Sequence, residues 1–351
     1  MGRTKGQWID LGKKRILSIL EQYRISYSKH LEIKISEAGP YNQRVEPVLL
    51  NDALAALQLE KGIQVLTTSP IKIFGDLNYG RPGDPARFKA FQDWYNLYLQ
   101  CSQHEHLCGL MLERLIYQAV LHSGKYHVLG TGPLYTDDGT LFKPKGAEQL
   151  FLSGKAIYGA DSGNGLDLLL IHKETNIPIG IEAKNIREWQ YPASSNIWRL
   201  IARACTLECL PVFAARKISY LSRAGLFHHV GIMGFETQFQ YFHPKVKAFS
   251  KYRFEERVID KTRLGFADIK IPKRDETPNH FNQFIGKILP DNVEEYYSRF
   301  MHYLPLLKKY AIDHQLAEDK VKYPLRLKLY QQFQEEAGFT DPNIPDEGAD
   351  N

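Results

Sequence analysis

The sequence predicts a mixed α/β protein built from two or three folding units. Its 351 residues exceed the usual size of roughly 100–150 residues for one domain, so a single core is not expected. Two apolar runs joined by a short turn, residues 166–171 and 177–183, predict a buried β-hairpin. Helix-like and strand-like segments also alternate from residue 105 to residue 234, which is the element order of an α/β domain.

Composition and charge narrow the class of protein further. With 43% hydrophobic and 24% charged residues, the chain has ordinary globular composition. It contains no run of ~18 apolar residues, and its first 15 residues lack the apolar core of a signal peptide. We therefore expect a soluble, cytoplasmic protein with no membrane partner. The net charge of +5 mildly favours a polyanionic partner.

The four cysteines are too few for a disulfide framework, so we expect reduced thiols. A zinc site is an alternative, since Cys101 and Cys108 flank His104 and His106, and the pair at 205 and 209 can share a helical face. It is disfavoured because the chain has no CxxC pair and isolated buried thiols are common.

The first 78 residues predict three helices followed by two strands, at 8–24, 28–35, 46–61, 63–67 and 71–74. This order resembles a winged helix-turn-helix, in which a helix enters a groove of DNA. Under that interpretation, the phosphate contacts come from Lys29, Lys34, Arg44 and Lys72. The alternative is a helical domain that only packs on the core or mediates dimerisation, because the pattern has low specificity.

A Gly- and Pro-rich segment at 76–85 predicts a linker, after which the main α/β core is expected at residues 86–243. Its predicted order is two helices, a group of strands, a helix near 196–210, a strand at 211–215, and a further helix and strand. Residues 244–340 begin basic and irregular and then become helical, which predicts a C-terminal extension that supports the core or forms a homodimer. Residues 341–351 are predicted to form an acidic, solvated tail.

The predicted hairpin brings charged residues together at one of its ends. Folding residues 166–183 about the turn at 174–176 places Asp167 beside Glu182 and Lys184. Side chains alternate along a strand, so Glu182 and Lys184 point to one face and Ala183 to the other. Two carboxylates and one ammonium group therefore converge at one end of an apolar hairpin.

Burying these charges among leucines and isoleucines costs several kcal/mol each unless they are paired or bind a metal ion. A divalent cation supplies that compensation. Asp167, Glu182 and the Ala183 carbonyl offer the hard oxygen ligands that Mg²⁺ or Mn²⁺ prefers. Such an ion polarises a phosphate and activates water, and Lys184 can hold the attacking water or stabilise the pentavalent charge.

The spacing of Asp167, Glu182, Ala183 and Lys184 resembles the PD-(D/E)XK nuclease superfamily, although Leu166 stands where the motif has proline. The resemblance covers about 130 residues and implies a restriction endonuclease-like mixed-sheet core. It also implies a Mg²⁺-dependent hydrolase that cuts double-stranded DNA. By position, the resemblance also implies roles for two further residues. Glu113 would be a metal ligand on the first core helix, and Gln190 would be a polar active-site residue.

Several alternatives stay open at this point. The motif can be a salt bridge at a hairpin mouth, and Glu113 beside Arg114 can be a solvated surface residue. His172 can approach a metal ion, although a hydrogen-bonded residue at a strand end is favoured. An RNA nuclease, a structure-specific DNA resolvase and a nucleic-acid-binding protein with an inactive core are the rival functions. Positive charge near the site is expected from Arg187, Arg199, Arg203, Arg216 and Lys217, with Arg187 and Arg199 as nucleic-acid contacts.

Overall fold

The computed structural model describes residues 3–38, 44–68, 71–76, 85–102, 105–132, 134–136, 141–142, 166–243, 268–273, 277–318 and 323–340. The chain divides into two compact units. The first comprises residues 1–104, 246–269 and 343–351, and the second comprises residues 105–245 and 270–342. Among the residues that the structure describes, no helix has both the length and the apolar character needed to cross a membrane.

Over its described residues, the first unit combines four helices with a three-stranded antiparallel sheet of order β1-β3-β2. Its elements are α1 (Lys5–Tyr23), β1 (Ile25–Tyr27), α2 (Ser28–Glu32) continuing into a π-helical turn (Ile33–Glu37), α3 (Pro47–Leu59), β2 (Ile63–Thr67), β3 (Ile73–Asp76) and α4 (Pro85–Ser102). Thr4 caps α1 with a capping box that includes Gln7. At Gly12 a Cβ would lie 3.0 Å from the Ala53 Cβ, so the glycine lets α1 and α3 pack closely.

Helix α4 lies in the first unit, whereas the sequence placed residues 86–101 at the start of the core. Phe91 explains the difference. Its side chain is fully buried, and its ring centroid lies 5.3 Å from that of Tyr27 and 5.9 Å from that of His30. The aromatic face of α4 therefore contributes to the core of the first unit. Of the predicted linker, residues 77–84 lie outside the described residues.

The second unit contains a mixed five-stranded sheet of order β10-β9-β8-β7-β4. Its elements up to residue 243 are α5 (Glu105–Ser123), β4 (Tyr126–Thr131), β5 (Leu134–Tyr135), β6 (Leu141–Phe142), β7 (Leu168–His172), β8 (Pro178–Lys184), α6 (Ser195–Leu207), β9 (Leu210–Ala215), a π-helical segment (Leu221–Phe227), α7 (His228–Val230), β10 (Met233–Glu236) and β11 (Gln240–Tyr241). Strands β4, β7 and β8 pair antiparallel, whereas β8, β9 and β10 pair parallel. The predicted mixed α/β class and the β7–β8 hairpin are confirmed.

The two faces of this sheet bury different side chains. Ile181 and Ala183 of β8 share a buried cluster with residues of α5, whereas Phe213 and Ala215 of β9 share one with residues of α6. At Gly180 a Cβ would lie 2.5 Å from the Leu166 side chain and 2.8 Å from the Cys209 sulfur. Any side chain there would push β8 away from its neighbours.

The C-terminal helices complete both hydrophobic clusters, so they belong to the same unit as the sheet. The helices are α8 (Asn279–Gln283) with a π-helical turn (Phe284–Ile288), α9 (Leu289–Glu318) and α10 (Tyr323–Ala337), and the short strand β12 (Ile269–Lys270) precedes them at the boundary between the two units in sequence. Phe281 and Phe284 are buried with α5 residues, and Phe300 and Phe333 are buried with α6 residues. The predicted helical character is confirmed, while residues 244–267 and the acidic tail at 341–351 lie outside the described residues.

Candidate active site

The end of the β7–β8 hairpin brings Asp167 beside β8. The Asp167 backbone N–H donates to the Ile181 carbonyl over 3.0 Å. Its side-chain Oδ2 accepts a hydrogen bond from the Ala183 N–H at 2.6 Å. Both contacts fix the carboxylate against the strand that carries the next two charges. The predicted convergence of Asp167 with Glu182 and Lys184 is therefore present.

Strand alternation places the charges of β8 on the face opposite Ala183. Ala183 is buried toward α5, so Glu182 and Lys184 point toward α6. Glu182 is almost fully buried, with 1% of its side chain exposed. Its Oε1 lies 2.5 Å from the Lys184 Nζ, and its Oε2 lies 2.7 Å from the Arg203 Nη1. Both oxygens of this carboxylate are thus held by cations.

Glu113 on α5 joins the same electrostatic cluster. Its side chain is buried, as is that of Arg114, so the alternative of a solvated surface glutamate is wrong. A Cβ at Gly132 would lie 3.7 Å from the Glu113 Oε2, and the Gly132 N–H donates to the Asp167 carbonyl over 3.0 Å. The carboxylate of Glu113 therefore lies at the chain segment that also holds Asp167.

The pKa values show how strongly these groups interact. Burial raises the pKa of Glu113, and the negative charges of Asp167 and Glu182 add to this effect against the opposing charge of Lys184. Burial and the charge of Glu182 likewise raise the pKa of Asp167, although Lys184, the Ala183 N–H and Arg203 oppose the shift. Burial disfavours the charged form of Lys184, but Glu182 and Asp167 outweigh it and raise its pKa. The ammonium form of Lys184 is therefore favoured.

The donor atoms of this cluster are carboxylate oxygens, the type of ligand that a hard divalent cation prefers. Fully ionised, the three carboxylates of Glu113, Asp167 and Glu182 exceed the two cations Lys184 and Arg203, which leaves one negative charge in a largely buried place. Among the described residues, no group of three or more acidic, histidine or cysteine side chains is placed to hold a metal ion. Glu182 instead contacts its two cations and Asp167 the Ala183 N–H. A carboxylate has about four lone-pair sites, so both residues retain capacity for a metal ion.

Gln190 supports the loop before α6 with all of its polar groups. Its side-chain oxygen accepts from Ser194 and Asn196 at 3.0 and 3.1 Å, and its side-chain amide donates to the Glu188 carbonyl. Its backbone pairs with residues 217 and 219. These contacts tie Gln190 to neighbouring segments of the loop, and its catalytic role stays a prediction.

Arg203 is the residue of the cluster that the sequence analysis treated only as nearby positive charge. It lies in α6, with Ala202 and Ala204 fully buried on either side of it. An arginine inside an apolar stretch of helix needs a carboxylate partner, because an unpaired buried charge is strongly destabilising. The sequence therefore indicated that Arg203 needs a carboxylate partner, but not which carboxylate.

Of the two arginines expected to contact nucleic acid in this unit, Arg187 is buried, with 5% of its surface exposed. Its carbonyl accepts two hydrogen bonds from Arg216, which is also buried. Arg187 is therefore largely inside the unit, and its contact with nucleic acid stays a prediction. Arg199 is half-buried on α6, one helical turn before Arg203.

In the first unit, the four predicted phosphate contacts have different surroundings. Lys29 forms ion pairs with Glu32 and Glu37. Lys34 lies over the Tyr23 ring, and Arg44 is half-buried with its charge acting on Arg15. Lys72 is exposed, and its ammonium group donates a hydrogen bond to the neutral Gln58 carboxamide. Lys72 is thus the most available of these cations for a phosphate.

The remaining candidate metal ligands are a hydrogen-bonded histidine and a set of cysteines and histidines. The His172 Nδ1 lies 3.0 Å from the Thr175 hydroxyl, as expected for a histidine at a strand end. Cys205 and Cys209 are free and buried in the apolar cluster around α6, and burial raises the pKa of both thiols. The side chains of Cys101, Cys108, His104 and His106 lie outside the described residues.

Neither a protein family, nor a curated protein, nor a solved structure matches this chain.

Proposed function

We propose that this protein is a metal-dependent endonuclease that hydrolyses phosphodiester bonds in double-stranded DNA. The observation that carries the proposal is the buried cluster of Glu113, Asp167 and Glu182 with Lys184. Three carboxylates in such a place repel each other, and their repulsion costs folding free energy that an apolar site would avoid. Binding of a divalent cation would offset this repulsion.

Asp167, Glu182, Glu113 and the Ala183 carbonyl would hold Mg²⁺ or Mn²⁺. When bound, the ion polarises the phosphate and lowers the pKa of water. The neighbouring carboxylates raise the pKa of Lys184, which favours its ammonium form over a general-base role. Its positive charge instead stabilises the negative charge that develops on the phosphoryl oxygens during attack. Water is the nucleophile, and no covalent enzyme intermediate forms.

The direct test is incubation of the full-length protein with supercoiled plasmid, linear duplex, branched duplex and single-stranded RNA in the presence of Mg²⁺. We expect nicking or linearisation of the duplex substrates, with 3′ and 5′ ends that a ligase or polymerase assay identifies. Exclusive cleavage of branched DNA or of RNA would replace the proposal with a resolvase or an RNA nuclease. Tight binding without cleavage would favour a binding protein with an inactive core.

We further propose that the first unit is a winged-helix module that positions DNA. The order α1-β1-α2-α3-β2-β3, with β1 paired to β3, supports this proposal. Helix α3 contains no lysine or arginine, and its exposed residues are Val48, Asn51, Ala55 and Leu59. Such a helix can contact base edges through Asn51 and Ala55 but cannot neutralise phosphates. Phosphate contacts must therefore come from residues around α3, Lys72 among them.

Lys72→Ala is expected to weaken duplex binding and to reduce the slope of log K against log[salt] by about 1, the value for one lost phosphate contact. Lys29→Ala is the matched control, because its ammonium is already paired with Glu32 and Glu37. Fluorescence anisotropy of a labelled duplex in Ca²⁺, repeated over a salt series, measures both slopes. Equal slopes for wild type and Lys72→Ala would remove this residue from the DNA interface.

A further inference from the structure

Arg203 contacts the proposed metal site but has no role in the proposed reaction. Its side chain is 4% exposed, and its Nη1 lies 2.7 Å from the Oε2 of Glu182. The other oxygen of the same carboxylate contacts Lys184. Glu182 is therefore held from both sides, by a cation of its own strand and by a cation of α6. Rotation of this carboxylate would break one of the two charged contacts.

The charge of Arg203 also acts beyond its direct partner. It reaches Asp167 and Lys184, which belong to the same cluster. With both cations present, the ionised cluster has one negative charge in excess. One divalent cation reverses that excess, and a second would leave three positive charges in a largely buried place without matching ligands. Without Arg203 the excess would be two negative charges.

We infer that Arg203 is a positioning residue of the metal site, which fixes the Glu182 carboxylate and limits the site to one divalent cation. The inference rests on the proposed function, since it concerns the same site. It assigns a role to a residue of α6 that lies outside the Asp-Glu-Lys motif. It also predicts that metal affinity and cleavage respond in opposite directions when the charge of Arg203 is removed.

The test is a calorimetric titration of the metal-free, full-length protein with Mn²⁺, using wild type, Arg203→Met and Arg203→Lys. Wild type should bind one Mn²⁺. Arg203→Met, which removes the charge but keeps much of the volume, should bind Mn²⁺ about tenfold more tightly because the cluster gains net negative charge. Its cleavage rate should fall about 10–100-fold, because Glu182 is no longer oriented. A residue with only a structural role would not tighten metal binding.

Arg203→Lys keeps the charge and loses the planar fork. We expect its Mn²⁺ affinity to stay within about twofold of wild type and its cleavage to fall about tenfold, since lysine does not hold a carboxylate in one orientation as arginine does. This variant keeps the inference testable if Arg203→Met does not fold. Arg216→Lys is the matched control, because Arg216 is equally buried and donates to the Arg187 carbonyl. It should lower stability without changing Mn²⁺ affinity.

The possible failures are distinguishable. Absence of Mn²⁺ binding by folded wild type would overturn the proposed function and the inference with it. If wild type binds one Mn²⁺ but Arg203→Met binds it with unchanged or weaker affinity, the inference alone is overturned. Two Mn²⁺ ions bound by wild type, or wild-type cleavage by Arg203→Lys, would do the same.

Discussion

Asp167→Asn and Lys184→Met are each expected to reduce DNA cleavage by about 10²–10³-fold or more, since each removes one preorganised charge at the reacting phosphate. Asparagine retains a side-chain oxygen that accepts the hydrogen bond from the Ala183 N–H, so the hairpin keeps its geometry. Methionine retains the aliphatic stem of Lys184 and removes only the ammonium group. The measurement is the single-turnover cleavage rate with excess enzyme in Mg²⁺.

Thermal unfolding of the metal-free proteins separates a catalytic role from a structural one. Asp167→Asn removes a negative charge from a cluster in which carboxylates raise one another's pKa, so we expect unchanged or higher stability. Lys184→Met leaves Glu182 with Arg203 as its cationic partner. A loss of activity together with retained stability is the signature of a functional site, whereas a salt bridge kept for stability would lose stability instead.

Matched controls lie at the other end of the same hairpin. Lys173 and Glu174 are exposed residues of the turn that follows β7, and Lys173 donates to the Gly124 carbonyl. Lys173→Met and Glu174→Gln should cleave DNA at the wild-type rate. Wild-type cleavage by either Asp167→Asn or Lys184→Met would exclude that residue from the reaction.

The sequence was sufficient to predict the hairpin and the charged residues that it carries. The two apolar runs are short and joined by a turn, which favours buried strands, and pairing them about that turn brings Asp167 to Glu182. Strand alternation then fixed the orientation of Lys184 relative to Ala183. These inferences succeed because they depend on neighbours close in sequence, where chain geometry determines the contacts.

Contacts between segments that are distant in sequence were harder to predict. The parallel pairing of β8 with β9 places α6 over Glu182 and brings Arg203 to it, and no local pattern encodes that register. Gln190 was assigned by position after the motif, but the hydrogen bonds of the surrounding loop decide where its amide points. Phe91 joined the first unit through contacts with Tyr27 and His30, which lie some 60 residues earlier. In each case tertiary packing selected among options that were locally equivalent.

Removal of divalent metal is expected to abolish cleavage. Wild type should cut DNA with Mg²⁺ or Mn²⁺, bind DNA with little turnover in Ca²⁺, and be inactive in excess EDTA. Ca²⁺ accepts looser geometry than Mg²⁺ and is a weaker Lewis acid, so it can fill the site without supporting the reaction. Full activity in EDTA would contradict the metal site itself.

The pH dependence of the metal-free protein tests the same site without any cleavage assay. Burial raises the pKa of Glu113 and Asp167, so the folded state keeps protons that the unfolded state has already released. Stability therefore falls as the pH rises from the ordinary carboxyl range through the raised pKa values. A divalent cation replaces those protons, so Mn²⁺ affinity should rise with pH and its binding should release protons. In Glu113→Gln the loss of stability with pH should be smaller, because one of the two groups no longer titrates. If wild type and Glu113→Gln lost stability in parallel over this pH range, the raised pKa of Glu113 would be contradicted.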